Sequence, residues 1–208
     1  MKLLLSGGGN PEDVVPLDEL FTSQIDLNKP TLYIPVAMEA HVFSYDECFE
    51  WFKKTYRPYG LQHVDLCIDL SLAQNLEQYS AIFIGGGNTF KLLKEIKDSM
   101  FDIKLLEYLN NDGFVYGSSA GAIIFGKSIA PCEYGEYSDI NHVGLTDLSG
   151  LNLAGGKDIF CHYSNGVNDF IKNYHNDLFV FYDESGLFIK NNEIEAVGKP
   201  FLCKADVI

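Results

Sequence analysis

Gly113-Phe-Val-Tyr-Gly-Ser-Ser-Ala-Gly-Ala-Ile-Ile-Phe-Gly126 decides how the rest of the chain is read. Phe114-Val115-Tyr116 is a short apolar run that predicts a buried strand. The run breaks sharply at Gly117 to Gly121 and resumes at Ala122-Ile-Ile-Phe125 as the start of a buried helix. A strand, a G-x-S-x-G turn and a helix are the parts of a nucleophile elbow, in which a strained turn lifts one hydroxyl above the sheet edge. Ser119 is that hydroxyl. Small residues at Gly117, Ala120 and Gly121 let neighbouring backbone approach. The Ala120 amide is left at a helix N-terminus, facing whatever oxygen the serine attacks.

Upstream, Ser80-Ala-Ile-Phe-Ile84 is a continuous apolar run of the kind found in parallel sheets covered on both faces. It ends in Gly85-Gly-Gly-Asn-Thr-Phe90, where Asn88 is an N-cap for a helix over Phe90 to Lys97. Further strands are predicted over Lys2 to Ser6, Thr31 to Val36 and Gln62 to Ile68, and helices over Leu17 to Ser23, Leu72 to Gln78 and Ile103 to Leu109. Ser44-Tyr-Asp-Glu47 is a capping box, with Phe43 and Cys48 placed as a hydrophobic staple. The helix it starts runs to about Tyr59 and carries Cys48, Trp51, Phe52, Thr55, Tyr56 and Tyr59 on one face, read as core. Gly7-Gly8-Gly9 is read as a tight turn, because the dinucleotide pattern G-x-G-x-x-G fails at Glu12.

Strands alternating with helices predict an α/β fold with a doubly wound, mostly parallel sheet. Ligands of such sheets gather at the carboxyl ends of the strands, where both the Gly85 to Asn88 turn and the Ser119 turn fall. Beyond Gly126 the periodicity fades into a loop from Pro131 to Ser149. Ile159 to His162 then reads as a strand end and Val167 to His175 as a helix. Leu178 to Tyr182, Leu187 to Lys190 and Glu193 to Val197 are short strands, the last two joined by Asn191-Asn192, and they predict a C-terminal antiparallel edge. Without repeat or linker, residues 1–208 are expected to form one domain.

The charge balance excludes some classes of partner. Against 29 Asp and Glu stand 15 Lys and Arg, a net charge of −14 with Arg57 as the sole arginine, and such a surface repels a phosphate backbone. No nucleic acid is expected. Three leucines before Gly7 are too few for a signal peptide or a membrane span, so a cytoplasmic protein without a membrane partner is expected. Five cysteines without a C-x-x-C pair argue against a disulfide framework and a zinc site, and no metal or organic cofactor is called for.

A serine needs a base, and histidine suits neutral pH. Of five histidines, His162 is placed like Ser119, at the carboxyl end of an apolar strand. For the carboxylate that would orient it, the intervening loop offers Glu133, Glu136, Asp139 and Asp147, and the sequence does not choose among them.

Gly85-Gly-Gly-Asn-Thr-Phe90, Gly117-Ser-Ser-Ala-Gly-Ala122, Gly150-Leu-Asn-Leu153 and the strand-end pair His162-Tyr163 together resemble the S51 peptidases, which include the aspartyl dipeptidases (peptidase E) and cyanophycinase. The resemblance covers nearly the whole chain in order and length. It implies a flavodoxin-like fold of the class I glutamine amidotransferase type, with serine where those enzymes carry cysteine. It also implies Ser119 as nucleophile, His162 as base, and the amides of Gly87 and Ala120 as the oxyanion hole. Asp139 best matches the third member, with Glu136 second. Residues 163–172 lack the arginine expected downstream of the histidine, so a strict preference for N-terminal aspartate is not expected. The expectation is a serine peptidase acting on short peptides through an acyl-enzyme. The rivals are a small-substrate esterase or amidase, and a non-catalytic binding member of the fold. Oligomeric state is not legible.

Overall fold

The computed structural model describes residues 1–205; the last three residues of the expected domain fall outside the described residues. In chain order the elements are β1 (Lys2–Ser6), α1 (Val15–Ser23), β2 (Thr31–Ile34), α2 (Tyr45–Tyr56), β3 (Val64–Leu66), β4 (Ala81–Ile84), α3 (Thr89–Asp98), α4 (Phe101–Asn110), β5 (Phe114–Ser118) and α5 (Ala120–Ile123). There follow β6 (Asp158–Phe160), α6 (Asn168–Lys172), β7 (Leu178–Val180), β8 (Gly186–Lys190), β9 (Glu193–Val197) and β10 (Phe201–Cys203).

Seven strands form the main sheet in the order β3-β2-β4-β5-β1-β8-β9. The first five run parallel, while β8 is antiparallel to β1 and β9 to β8. Alternation along the strands divides the core. Leu3, Leu5, Ile34, Ile82, Ile84 and Val115 face α3, α4 and α5. Leu4, Tyr33, Phe83, Phe114 and Tyr116 face α1 and α2. The parallel strands β1, β2, β4 and β5 are therefore covered on both sides, as helices on both faces require, while the edge strand β3 carries an exposed Asp65. The capping box forms as the sequence specifies, with Ser44 Oγ accepting from the Glu47 amide and Glu47 accepting from the Ser44 amide. Asn88 caps α3 through the Lys91 amide.

Four expectations need correction. Leu72 to Gln78 is not a helix but the ends of two 3-10 turns, Leu70–Leu72 and Leu76–Gln78, separated at Asn75 with φ +51°. The expected helix over Val167 to His175 shortens to α6 after a 3-10 turn at Asn165–Val167. Leu178 to Tyr182 does not join the antiparallel edge. Its strand, β7, lies at the centre of a second, three-stranded sheet in the order β10-β7-β6. The cause is burial on both sides: Phe179 and Phe181 pack into the main core beside Ile159, while Leu178 and Val180 pack with Phe160 and Ile171. An edge strand such as β9, largely exposed, needs no such cover. Fourth, Trp51 is not core. Cys48, Phe52 and Tyr56 are buried, but Trp51 is 47% exposed on the flank of α2.

The carboxyl ends of β1, β4 and β5 converge, and the turn from β7 to β8 crosses from the small sheet back to the main one at the same place. Four glycine-bearing or turn segments therefore meet around Ser119.

Candidate active site

Ser119 joins β5 to α5 with φ +52° and ψ −115°, a backbone state that costs a non-glycine residue about 1–3 kcal/mol. Its neighbours hold it there. The Ser119 amide donates to Ser6 O at 3.0 Å, and its carbonyl accepts from the amides of Ala122 at 2.7 Å and Ile123 at 2.9 Å. A Cβ on Gly117 would lie 2.1 Å from the Gly121 carbonyl oxygen, and one on Gly121 would lie 2.2 Å from that of Ile84. Only glycine fits at either position, which is why the pentapeptide reads as it does.

His162 follows β6 with φ +56°, a second left-handed residue at the site. Its Nε2 lies 2.8 Å from Ser119 Oγ. Its Nδ1 lies 2.7 Å from Asp183 Oδ1, in a pair whose histidine side chain is 22% exposed and whose aspartate is 41% exposed. With Nδ1–H donating to Asp183 Oδ1, Nε2 is left free to accept from the serine hydroxyl. The small sheet sets the spacing. The Tyr163 amide donates to Phe181 O, and Ser185 closes a turn by donating its amide to Tyr182 O, with Asp183 inside that turn.

The glycines after β1 complete the support. A Cβ on Gly8 would stand 2.6 Å from His162 Cε1, and one on Gly9 would stand 2.8 Å from Asp183 Cβ; both residues also have positive φ. What reads in the sequence as a tight turn is the surface on which the imidazole and its carboxylate rest. On the other side of the serine, Gly86 packs against Ser119 Cβ. The backbone N–H groups of Gly87 and Ala120 have no acceptor among the described residues.

The sequence profile of peptidase family S51 matches residues 2–198. The chain belongs to this family. An uncharacterized peptidase of Listeria innocua is 34% identical over 163 residues, covering 74% of this chain and 73% of its own. A Drosophila melanogaster protein named as a probable alpha-aspartyl dipeptidase is 34% identical over 118 residues, or 54% of this chain and 45% of its own. Among solved structures, a Listeria monocytogenes EGD-e protein provisionally assigned as a peptidase E superposes with a TM-score of 0.74 at 27% identity, covering 94% of this chain and 96% of that one. Membership makes the chain a serine-type peptidase, a hydrolase whose substrate is a peptide. Among the described residues no helix is long and apolar enough to cross a membrane.

Within this S51 frame the expected third member needs correction. Asp139 does not hold the imidazole: its Oδ2 accepts from the Thr89 amide at 2.9 Å, and its own amide donates to Cys132 O at 2.7 Å. Burial, opposed by the hydrogen bonding to Thr89, leaves its carboxyl above its ordinary pKa. Glu136 is exposed, again without a bond to His162 among the described residues. Asp147 spends its carboxylate on the Ser149 amide. The residue at Nδ1, Asp183, lies outside the loop between serine and histidine that offers Glu133, Glu136, Asp139 and Asp147. A signal for it exists, since Asp183 follows the apolar strand Leu178 to Tyr182 as His162 follows Ile159 to Cys161.

Two cavities flank Ser119. The smaller, about 210 Å³, is bounded by Thr89, Cys132, Glu136, Tyr137 and Asp139. The Pro131 to Ser149 loop forms much of its wall and is tied to the glycine turn by Asn88 Nδ2 donating to Ile140 O at 2.9 Å. The Tyr137 ring lies 5.1 Å from that of His162. The larger, about 580 Å³, is a groove walled by Met38, Phe43, Trp51 and Phe83 over Tyr33. Among the described residues no lysine or arginine lines either space.

Proposed function

We propose that this S51 peptidase hydrolyses short peptides with a free amino terminus through a Ser119–His162–Asp183 triad. The hydrogen-bonded line from Ser119 Oγ through the imidazole to Asp183, at 2.8 and 2.7 Å, carries the reading. His162 Nε2 takes the serine proton as Oγ attacks the scissile carbonyl carbon. Asp183 holds the ring in the tautomer that permits this and stabilises the imidazolium. The negative charge on the carbonyl oxygen falls to the Gly87 and Ala120 amides, which are otherwise unspent. The C–N bond then breaks, with the imidazolium proton going to the leaving amine. Water, deprotonated by the same nitrogen, attacks the acyl-enzyme ester, and Ser119 regains its proton as the acid product leaves.

Asp139 and Glu136 give the smaller cavity a negative character beside the serine. A peptide ammonium fits there, and an aspartate side chain does not. Strict selection for N-terminal aspartate is therefore not proposed, since among the described residues no guanidinium or ammonium faces either space to pair with a second carboxylate.

Intact-mass analysis after exposure to a small fluorophosphonate tests the serine. One adduct on the parent, absent from Ser119→Ala and His162→Ala, is expected. No adduct on a folded parent would sink the mechanism. Hydrolysis of Ala-Ala but not of N-acetyl-Ala-Ala is expected from the ammonium reading, and equal turnover of the two would refute it.

A further inference from the structure

The groove walled by Trp51 and Phe43 has no part in the chemistry above, yet it opens directly on Ser119 and His162. We propose that it binds the residue on the leaving side of the scissile bond and selects a large apolar side chain there. This rests on the serine peptidase reading and adds a substrate class to it.

Three observations support the assignment. Trp51 and Phe43 are 47% and 53% exposed, although one belongs to the apolar stripe of α2 and the other to its staple position. Both present ring surface to the groove in place of core, and aromatic surface flanking a reactive serine is suited to an apolar side chain. Second, Tyr33 lies beneath them at 4% exposure, its ring stacked on Phe52 at 4.2 Å. Its hydroxyl has no hydrogen-bond partner among the described residues and stands beside Gly85, one residue from the glycine that packs on Ser119. A hydroxyl that opens on the groove and is unpaired in the protein can meet a ligand's polar atom, here the backbone of the bound residue. Third, among the described residues the one Asp, Glu, Lys or Arg lining the groove is Glu47, whose carboxylate is turned to Ser44 in the capping box. It offers no attraction to an acidic side chain.

Charge fixes the direction of the peptide. The carboxylates of Asp139 and Glu136 lie in the cavity across Ser119 and claim the amino-terminal residue, whose carbonyl is attacked. The residue beyond the scissile bond then falls into the groove. The substrates implied are short peptides with a small first residue, matching the smaller cavity, and an aromatic or branched aliphatic second residue.

Steady-state hydrolysis of Ala-Phe, Ala-Leu, Ala-Gly and Phe-Ala by the parent, Trp51→Ala, Trp51→Phe and Phe43→Ala provides the test, with fluorophosphonate labelling of each protein alongside. For the parent, kcat/KM on Ala-Phe and Ala-Leu is expected to exceed that on Ala-Gly and Phe-Ala at least about tenfold. Trp51→Ala should reduce that ratio to within about twofold of one by raising KM for Ala-Phe. Trp51→Phe should restore most of it, and Phe43→Ala, which alters an exposed loop residue, should repeat the loss. A parent that labels at Ser119 yet shows no preference for Ala-Phe overturns the groove assignment alone, as does a preference for Phe-Ala or a ratio untouched by both alanine variants. A folded parent that does not label overturns the peptidase mechanism and this proposal together.

Discussion

Asp18, in α1, is wholly buried between the helix and the sheet. Its Oδ1 accepts from Tyr56 Oη at 2.7 Å and from Tyr116 Oη at 3.2 Å, while its Oδ2 has no partner. Removing a carboxylate from water costs more than two phenol hydrogen bonds return, and the carboxyl is pushed up from 3.8 to about 6. Between those two values the folded chain holds a proton that the unfolded chain has released, so stability falls as pH rises. The favourable contribution is complete below 3.8 and is gone above about 6. At 1.36 kcal/mol per pH unit the loss across the window is about 3 kcal/mol, or roughly 6–12 °C in Tm for a domain of this size. Other carboxylates act in the opposite sense, since those of Asp69 and Asp147, held by nearby serines, are lowered. The parent's own pH profile therefore mixes both. The informative comparison is with Asp18→Asn, whose side chain keeps an acceptor for the tyrosines and does not titrate. Urea unfolding at pH 4 and pH 7, which spans most of that window, should show the parent losing about 2.5 kcal/mol more than the variant. Any fixed cost of the new amide cancels in that difference. Parallel profiles for the two proteins would refute the reasoning.

Asp183→Asn should lower kcat/KM by about 10²–10⁴-fold with the fold intact, because the amide no longer secures the productive imidazole tautomer. Asp139→Asn should act on KM for free dipeptides instead, and a larger kcat loss in Asp139→Asn than in Asp183→Asn would reinstate the loop carboxylate as the third member. Gly8→Ala places a Cβ 2.6 Å from His162 Cε1 at φ +96°. It should cost about 1–2 kcal/mol of stability by strain and reduce fluorophosphonate labelling of Ser119 by more than tenfold through the displaced imidazole. Unchanged labelling in that variant would show that the glycine turn does not position the ring.

The legible part of this protein is local. Burial on alternate faces, caps and glycine turns announce themselves in short stretches, and so the parallel sheet, the capping boxes and caps at Ser44 and Asn88, and the strained turn at Ser119 could all be read before any coordinates. The segment Leu72 to Gln78 fails locally, at the left-handed Asn75, whereas at Leu178 to Tyr182, Trp51 and Asp139 the surroundings distant in sequence decided the outcome. Leu178 to Tyr182 has the composition of an edge strand's neighbour, but two separate clusters cover its two faces. Trp51 has the periodicity of core, yet the chain before α2 leaves an open groove beside it. Asp139 sits in the right stretch of sequence for an acid, and its carboxylate is taken by the Thr89 amide.

The sequence by itself determined the α/β class, the turn at Ser119, the strand-end position of His162 and, from short motifs taken together, the family, because each motif depends on residues within a few positions of one another. Only the tertiary structure decided that Asp183 stands at Nδ1, that Gly8 and Gly9 support the imidazole and that two unlike cavities meet at Ser119. Those facts depend on where the turn between β7 and β8 crosses from one sheet to the other, and long-range packing, not local propensity, fixes that crossing.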